Sequence, residues 1–388
     1  YSGYSILSEN GEIIHTQEIN GRLYCKVSLP PLSFTTFSKG EKLKQSANNA
    51  SGYVLENELI KYTFSNDGTL ISALDKETNN GLLDGPGNVL SLYEDRPLNW
   101  DAWDIDFYYK ESLLETAKTN KIKQVISGPV LSSLEFHYTV GNSILKQKIT
   151  LGNQSKRLDF DTYVEWKEKH KMLRVHFPTN IRSEQASFDI QYGYVKRNTH
   201  KNTSWDRAKF EVVGHKYADL SNNDNGIAIL NDCKYGYSVL DNVIDLNLLR
   251  SPNNPDADAD LGEHSFIYSF YPHQNDLIRS DVIQESTILN HPPLLFNGVK
   301  NNNSKSLINF DGKGIEITAI KKSEQSNEII FRAVETLGKT SKGKIYFNGK
   351  VTETNLMERR NLKPAKNVNG SLAIELKPFE IKTFRCSL

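Results

Sequence analysis

Cysteine is scarce in this chain: Cys25, Cys233 and Cys386 are the only three in 388 residues. They are odd in number, far apart, and flanked by neither C-x-x-C nor H-x-x-x-H spacing. That excludes a disulfide framework or a cysteine zinc site as the organising device and points to a reducing compartment. Net charge is also missing. Lys plus Arg and Asp plus Glu stand at 47 each, so nothing marks a nucleic-acid or anionic-membrane partner, and a neutral partner is expected. No apolar run approaches the roughly 20 residues that span a bilayer. The start, YSGYSILSENGE, lacks the basic end and apolar block of a signal peptide. The expectation is a soluble, cytoplasmic protein. Tyr1 is not an initiator methionine, which fits an excised piece of a longer chain.

Motifs with a mechanical reason are absent too: there is no G-x-S-x-G elbow, no phosphate loop, no H-E-x-x-H and no G-x-G-x-x-G. Helical periodicity is equally rare, and the best candidate for a helix is 111–121, ESLLETAKTNK. What recurs instead is alternation of apolar and polar residues over four to eight positions, the signature of half-buried antiparallel strands. The fold class is therefore all-β. The chain is too long for one small core, and its pattern falls into three parts. Residues 1–48 read as a small antiparallel unit turning at Asn10-Gly11 and Asn20-Gly21, with 39–51 as a polar linker. Residues 49–291 read as a large β-sandwich, with a first hairpin at Asp67-Gly68. Residues 292–388 open on the breaker HPPLLFNG and an Asn-rich spacer, 301–306, and continue as a C-terminal β-sandwich.

The stretch on which the rest turns is 93–109, YEDRPLNWDAWDIDFYY. It holds Trp100 and Trp103, two of the four tryptophans, with Glu94, Asp95, Asp101, Asp104 and Asp106. Unpaired carboxylates are costly in an apolar interior, so this is a surface loop. Flat aromatic faces beside hydrogen-bond acceptors suit a polyhydroxylated ligand such as a sugar. A solvated loop whose tryptophans cover a sheet edge is the alternative, and composition leaves both open. A second polar-aromatic stretch, 197–220, carries His200, Trp205, Asp206, Arg207 and His215. It reads as a loop between strands, either a site or a loop braced by an Asp-Arg pair. The third, 248–264, begins with Arg250. Its Asp256, Asp258 and Asp260 lack the Gly and Glu that complete a calcium loop, and they read as a solvated acidic loop. His170 and His176, near Glu165 and Glu168, could in principle hold a metal, but sheet-edge residues carry such groups routinely.

The segments WDAWDID (100–106), VEWKEKHKMLRVHFP (164–178), IQYGYVKRNTHKNTSWDRAKFEV (190–212), GHKYADLS (214–221), LNDCKYGY (230–237) and LLRSPNNPDADADLGEHSF (248–266) carry a resemblance. In order and spacing they resemble the C-terminal half of glycoside hydrolase family 38 α-mannosidases, the branch that includes cytosolic and vacuolar enzymes. Asn198 departs from the family's usual proline and Tyr217 from its usual tryptophan. The resemblance implies a galactose-mutarotase-like sandwich at 49–291, flanked by two smaller β-sandwiches. The N-terminal barrel that carries the family's zinc ligands and aspartate nucleophile has no counterpart here. It therefore implies no catalytic or metal residue in this chain, with zinc held by the parent's catalytic barrel. The intact parent would hydrolyse α-mannosidic bonds of oligosaccharides with retention, without nucleic-acid or membrane partners. Loops of the sandwich would complete its sugar pocket. Asp101, Trp103 and Asp104 are then the first substrate-binding candidates, Arg250 the second, and His200, Trp205 and Asp206 the third. A free-standing carbohydrate-binding module is the rival reading, and a mutarotase-type epimerase a weaker one, since fold alone licenses no function.

Overall fold

Strand Leu158–Trp166 shows how the pattern builds the fold: Leu158, Phe160, Thr162, Val164 and Trp166 are buried, and the residues between them face away. The computed structural model describes residues 4–19, 21–42, 52–298, 309–324, 326–347, 349–365, 367–368 and 370–387. Nearly every element in them is an antiparallel strand. A nine-stranded sheet has the order Lys118–Ser127, Leu131–Val140, Ser143–Gly152, Leu158–Trp166, Gly262–Gln274, Asn225–Asn231, Tyr217–Ser221, Gln185–Ile190, Gly193–Asn198. Facing it is a six-stranded sheet ordered Leu113–Thr116, Val89–Glu94, Lys171–Pro178, Val243–Arg250, Gly236–Leu240, Val212–Val213. A four-stranded meander, Val54–Glu56 to Asn80–Gly81, adds Leu55, Ile60, Tyr62, Phe64 and Leu70 to the core between the sheets. Its Asp67-Gly68 turn needs glycine: φ is +83° and a Cβ there would strike the Tyr138 ring.

Apolar side chains from both sheets meet in one core, with Phe160 stacked on Tyr268 at 4.9 Å and Phe177 set against Phe270 at 5.4 Å. A polar network crosses it. Gln147 donates to Thr162 at 3.0 Å and to the Tyr268 hydroxyl at 2.8 Å, and it accepts from Asn88 at 2.8 Å. Tyr268 closes the ring by donating to Asn88 at 2.6 Å. Such groups are tolerated in a core because each meets a partner; one missing member would strand the others.

Two smaller bodies lean on this sandwich. At the N-terminus, Tyr4–Leu7 pairs with Ile13–Ile14 and Ser38–Lys42, and Thr16–Ile19 pairs with Arg22–Cys25. Gln17 plugs this unit into the sandwich, donating to the Leu131 carbonyl at 3.0 Å and accepting from the amides of Val130 and Leu131. The C-terminal body packs a four-stranded sheet against a five-stranded one over Phe331, Ile345, Leu376 and Phe384. It meets the large sandwich where the Phe379 ring stands edge-on to Tyr194 at 5.5 Å.

Three sequence expectations need correction or limits. The helix expected at 111–121 is instead two strands, Leu113–Thr116 and Lys118–Ser127, because Thr116 pairs with Ser91 and Lys118 with Thr139. Sheet pairing on both sides overrides the helical propensity of Leu, Glu and Lys. The linker expected at 39–51 is strand as far as Lys42, and its remainder lies outside the described residues up to 51, as do Asn20 and the spacer at 301–306. Among the described residues the helical elements are Phe107–Glu111, Ser204–Ala208 and Val282–Asn290. None is long and apolar enough to cross a membrane.

One buried pair makes the sandwich sensitive to pH. His273 Nε2 lies 2.7 Å from Asp219 Oδ1, and Ser221 donates to the same carboxylate at 2.6 Å. Burial opposes charge on the imidazole, but the Asp219 carboxylate, the Gln274 carbonyl and Asp281 outweigh it and raise the pKa above the ordinary 6.5. The charged pair's stabilisation is thus complete below about pH 6.5 and is lost as pH rises through the raised folded value. The melting temperature is expected to decline over that window and His273→Gln to flatten the decline. Equal slopes in both proteins would rule the pair out.

Candidate functional site

Loop 95–106 is built around one cation. Asp95 is buried at the end of Val89–Glu94, and its carboxylate takes Arg250 Nε at 2.5 Å and Nη2 at 3.4 Å. Burial pushes the Asp95 carboxyl up in pKa, against the pull of Arg250. The same guanidinium donates to the carbonyls of Ala102 at 3.3 Å, Asp101 at 2.8 Å and Asp104. The loop curls over it through a turn in which the amides of Trp103 and Asp104 both bond the Trp100 carbonyl, with Trp100 itself at φ +61°. An aromatic residue rarely adopts that conformation. Arg250 enforces it from the last position of its strand.

The loop's carboxylates divide by role. Asp101 Oδ2 accepts from the amides of Asn253 at 2.6 Å and Asn254 at 3.0 Å, and Oδ1 lies 3.6 Å from His170 Nδ1. Asp106 Oδ2 accepts from the Leu98 amide and the Tyr108 hydroxyl, each at 2.7 Å. The Asp104 carboxylate accepts from the next amide, Ile105, at 2.9 Å, and the residue is exposed. Trp100 and Trp103 are each 72% exposed. Of the first candidates, then, Asp101 ties two loops together while Trp103 and Asp104 face outward.

The second stretch is no plain loop: it contains one helical turn, Ser204–Ala208, capped by Thr203, whose hydroxyl oxygen accepts from the Asp206 amide at 3.1 Å. Asp206 returns the cap, accepting from the Thr203 hydroxyl at 2.7 Å and from Asn198 at 2.9 Å, and these bonds hold its carboxyl below the usual range. The Thr-x-x-Asp spacing is a capping signal that sequence reading missed. His200 Nδ1 lies 3.7 Å from Asp206 and accepts from the Asn202 amide at 3.4 Å, so His200 and Asp206 shape the turn while Trp205 projects outward.

Both stretches meet over the outer face of the six-stranded sheet. The Phe107 ring stands 6.3 Å from Phe210, and Arg207 lies over it at 5.6 Å. Beneath them sits Arg174, fully buried, with Nε on Asp245 at 2.6 Å and Nη1 on Glu211 at 3.0 Å. Nη2 is without a partner among the described residues. The guanidinium also faces the Tyr109 ring at 5.2 Å, and the Tyr109 hydroxyl donates to Glu211 at 2.5 Å. Lys110 donates to Ser238 at 2.7 Å. Burial raises the pKa of Glu211 and lowers that of Lys110. Arg174, Glu211, Asp245 and Lys110 were not singled out from the sequence, because alternation in KMLRVHFP marks Arg174 only as a residue opposite the core.

The third stretch joins through Arg250, Asn253 and Asn254. Its Asp258 pairs with Lys169 at 2.9 Å on the surface. The His170, His176, Glu165 and Glu168 set is not gathered: Glu168 is buried, accepting from the Asn142 amide and from Lys171, each at 2.5 Å. Among the described residues no three His, Cys, Asp or Glu side chains converge to hold a metal. Asp101 and His170 lie 3.6 Å apart, but Asp101 is already held by two backbone amides.

An all-β scaffold that presents outward tryptophans from braced loops beside the six-stranded sheet of a large antiparallel sandwich is thereby defined. Residues 55–258 match the glycosyl hydrolases family 38 C-terminal domain, and 314–384 match that family's C-terminal beta sandwich domain. The chain belongs to glycosyl hydrolase family 38, matching that family's C-terminal domains. It is 39% identical over 362 residues to alpha-mannosidase G of Dictyostelium discoideum, covering 87% of this chain and 33% of that one. It is 30% identical over 414 residues to an alpha-mannosidase of Saccharomyces cerevisiae, covering 93% and 38%. A solved family 38 protein from Enterococcus faecalis superposes with a TM-score of 0.76 at 18% identity, over 99% of this chain and 52% of that chain, which shows the shared fold. The chain thus spans about a third of the length of the curated relatives it matches.

The geometry at Arg250 makes a direct prediction. Arg250→Met leaves Asp95 buried and unpaired, and breaking such a pair costs about 3–5 kcal/mol. The variant is expected to melt earlier and to gain protease cleavage between residues 98 and 106. A wild-type melting curve and cleavage pattern would contradict the bracing role.

Proposed function

We propose that this chain is the β-domain portion of a retaining, zinc-dependent α-mannosidase acting on oligosaccharides. In this reading, loop 95–106 completes the sugar pocket of a catalytic barrel carried by the same polypeptide. The observation that carries it is the outward presentation of Trp103 and Asp104 by a loop whose other polar groups hold its shape. An indole face covers the apolar C–H surface of a sugar ring, and a free carboxylate accepts from its hydroxyls. Arg250 then acts as a positioning residue. Trp205 is a more distant contact, with His200 and Asp206 fixing its turn. Retention requires two carboxyl groups about 5 Å apart. In our reading these, and the zinc ligands, belong to the barrel.

The division proposed is a small β unit at 1–48, a mutarotase-like sandwich at 49–291 and a C-terminal sandwich at 292–388. A cytoplasmic location is supported by three free thiols, Cys25, Cys233 and Cys386, since a reducing compartment keeps cysteines unpaired. A free-standing carbohydrate-binding module is the second reading, favoured by the exposure of Trp100, Trp103 and Trp205 in this chain alone.

Substitutions in the parent enzyme separate pocket from brace. Trp103→Ala and Asp104→Asn are expected to keep the melting temperature and to lower kcat/KM on an aryl α-mannoside by about ten- to a hundredfold, the loss of one hydrogen bond to a charged group or of comparable packing. Asp101→Asn is expected to lower the melting temperature, with activity following the folded fraction. Full activity in the first two variants would remove the loop from the pocket. The 388-residue chain alone is expected to show no turnover with added zinc; chelator-sensitive turnover by it would overturn the assignment of the chemistry to a separate barrel.

A further inference from the structure

Between the two sandwiches the chain runs through His-Pro-Pro-Leu-Leu-Phe-Asn-Gly, and every residue from 291 to 298 is exposed. Leu294 is 84% exposed, Leu295 86% and Phe296 65%. Three consecutive large apolar side chains in water are far from the scattered single leucines of an ordinary surface, and contiguous exposure of this kind marks an interaction site. The segment carries no Asp, Glu, Lys or Arg, so its counterpart must be apolar and uncharged. Pro292 and Pro293 restrict the backbone ahead of the apolar residues, which reduces the entropy lost on docking.

Its place in the fold narrows the partner. Asn290, the last residue of the preceding helix, donates to the Asn231 carbonyl at 3.0 Å. Strand Asn225–Asn231 runs from the Gln274 end of strand Gly262–Gln274 towards its Gly262 end. Gly262 pairs with Trp166, whose indole N–H bonds the Ser251 hydroxyl, next to Arg250. Asn231 pairs with Tyr268, midway along Gly262–Gln274, and the helix before the apolar segment packs on the outer face of the nine-stranded sheet, where Val282 joins Ala228 and Leu230 in one cluster. The reading above adds a further portion of the same polypeptide, and the curated relatives are about three times as long as this chain.

We infer that residues 292–296 form a docking strap, seated in an uncharged apolar groove on the upstream part of the same polypeptide. This rests on the reading that the chain is one portion of a longer α-mannosidase. The strap anchors the sandwich to the upstream portion, and loop 95–106 is positioned relative to the pocket partly through it.

The test uses the full-length polypeptide carrying Leu295→Cys, labelled with a maleimide and followed in the peptide that holds the substitution. Labelling is expected to be at least about tenfold slower than in the same protein unfolded in urea, equivalent to about 1.4 kcal/mol of protection. It is also expected to be unchanged over about a hundredfold dilution. A smaller difference overturns the strap. Protection that disappears on dilution overturns it in favour of a second copy of the chain. Hydroxyl-radical footprinting of Phe296 in the unsubstituted protein guards against damage from the cysteine, and oxidation there at the unfolded rate overturns the inference as well. Turnover of an aryl α-mannoside is recorded on the same sample. Turnover with an unprotected strap defeats the docking alone, while protection without turnover defeats the mannosidase reading alone.

Discussion

A guanidinium removed from water must be met by acceptors, and two arginines in this sandwich meet that demand by shaping loops. Arg174 lies buried on the outer face of the six-stranded sheet against Asp245 and Glu211, and Arg250 sits at a strand end against Asp95. In each case a carboxylate secures the cation, and the cation then gathers groups from a segment with little regular structure. Through Arg174 and Glu211 the loop ending at Tyr109 is fastened to a segment 102 residues away. These segments have little regular structure of their own, a short helical element at Phe107–Glu111 and another at Ser204–Ala208, and isolated turns of that length are unstable in water.

The result is a separation between groups that hold and groups that face out. Asp101, Asp106 and Asp206 each accept two hydrogen bonds or more from the protein itself. Trp100, Trp103 and Trp205 are exposed, and Asp104 is exposed with one local bond. A loop fixed in this way does not have to be ordered when a ligand arrives, and that ordering would otherwise reduce affinity. The rigid base is the doubly packed sandwich, where the Gln147, Asn88 and Tyr268 network sets one registry of the two sheets in a core that apolar contact alone would hold less specifically.

The all-β class was legible because alternation is a local signal, written along strands such as Leu158–Trp166 and readable without knowing what they pair with. The exception at 111–121 marks the limit of that signal. Leu, Glu and Lys favour a helix there, and only the partners at Ser91 and Thr139 make it strand. The loops were legible as residue types, and the stretches 93–109 and 197–220 do meet, through Phe107, Phe210 and Arg207. Their roles were not legible, because an Asp that braces and an Asp that binds look alike until its partners are known. For Asp101 those partners lie 152 and 153 residues on. Arg174 was hidden for a related reason. Alternation identifies the face opposite the core but cannot say that other segments return to cover it.

Direction is what the charged brace supplies beyond attachment. Apolar packing is non-directional and would hold loop 95–106 against the sheet in many orientations. A planar guanidinium has fixed donor directions, and here it takes the carbonyls of Asp101, Ala102 and Asp104, fixing the peptide plane before Trp103, while the Asp104 amide bonded to the Trp100 carbonyl fixes the plane after it. Once those planes are set, so is the direction in which the Trp103 side chain leaves the backbone, and the turn closing on the Trp100 carbonyl permits no slack between them. The outward indole is thus a consequence of where Arg250 stands. An arginine whose donors are engaged within the protein can in this way determine the geometry of the surface around it.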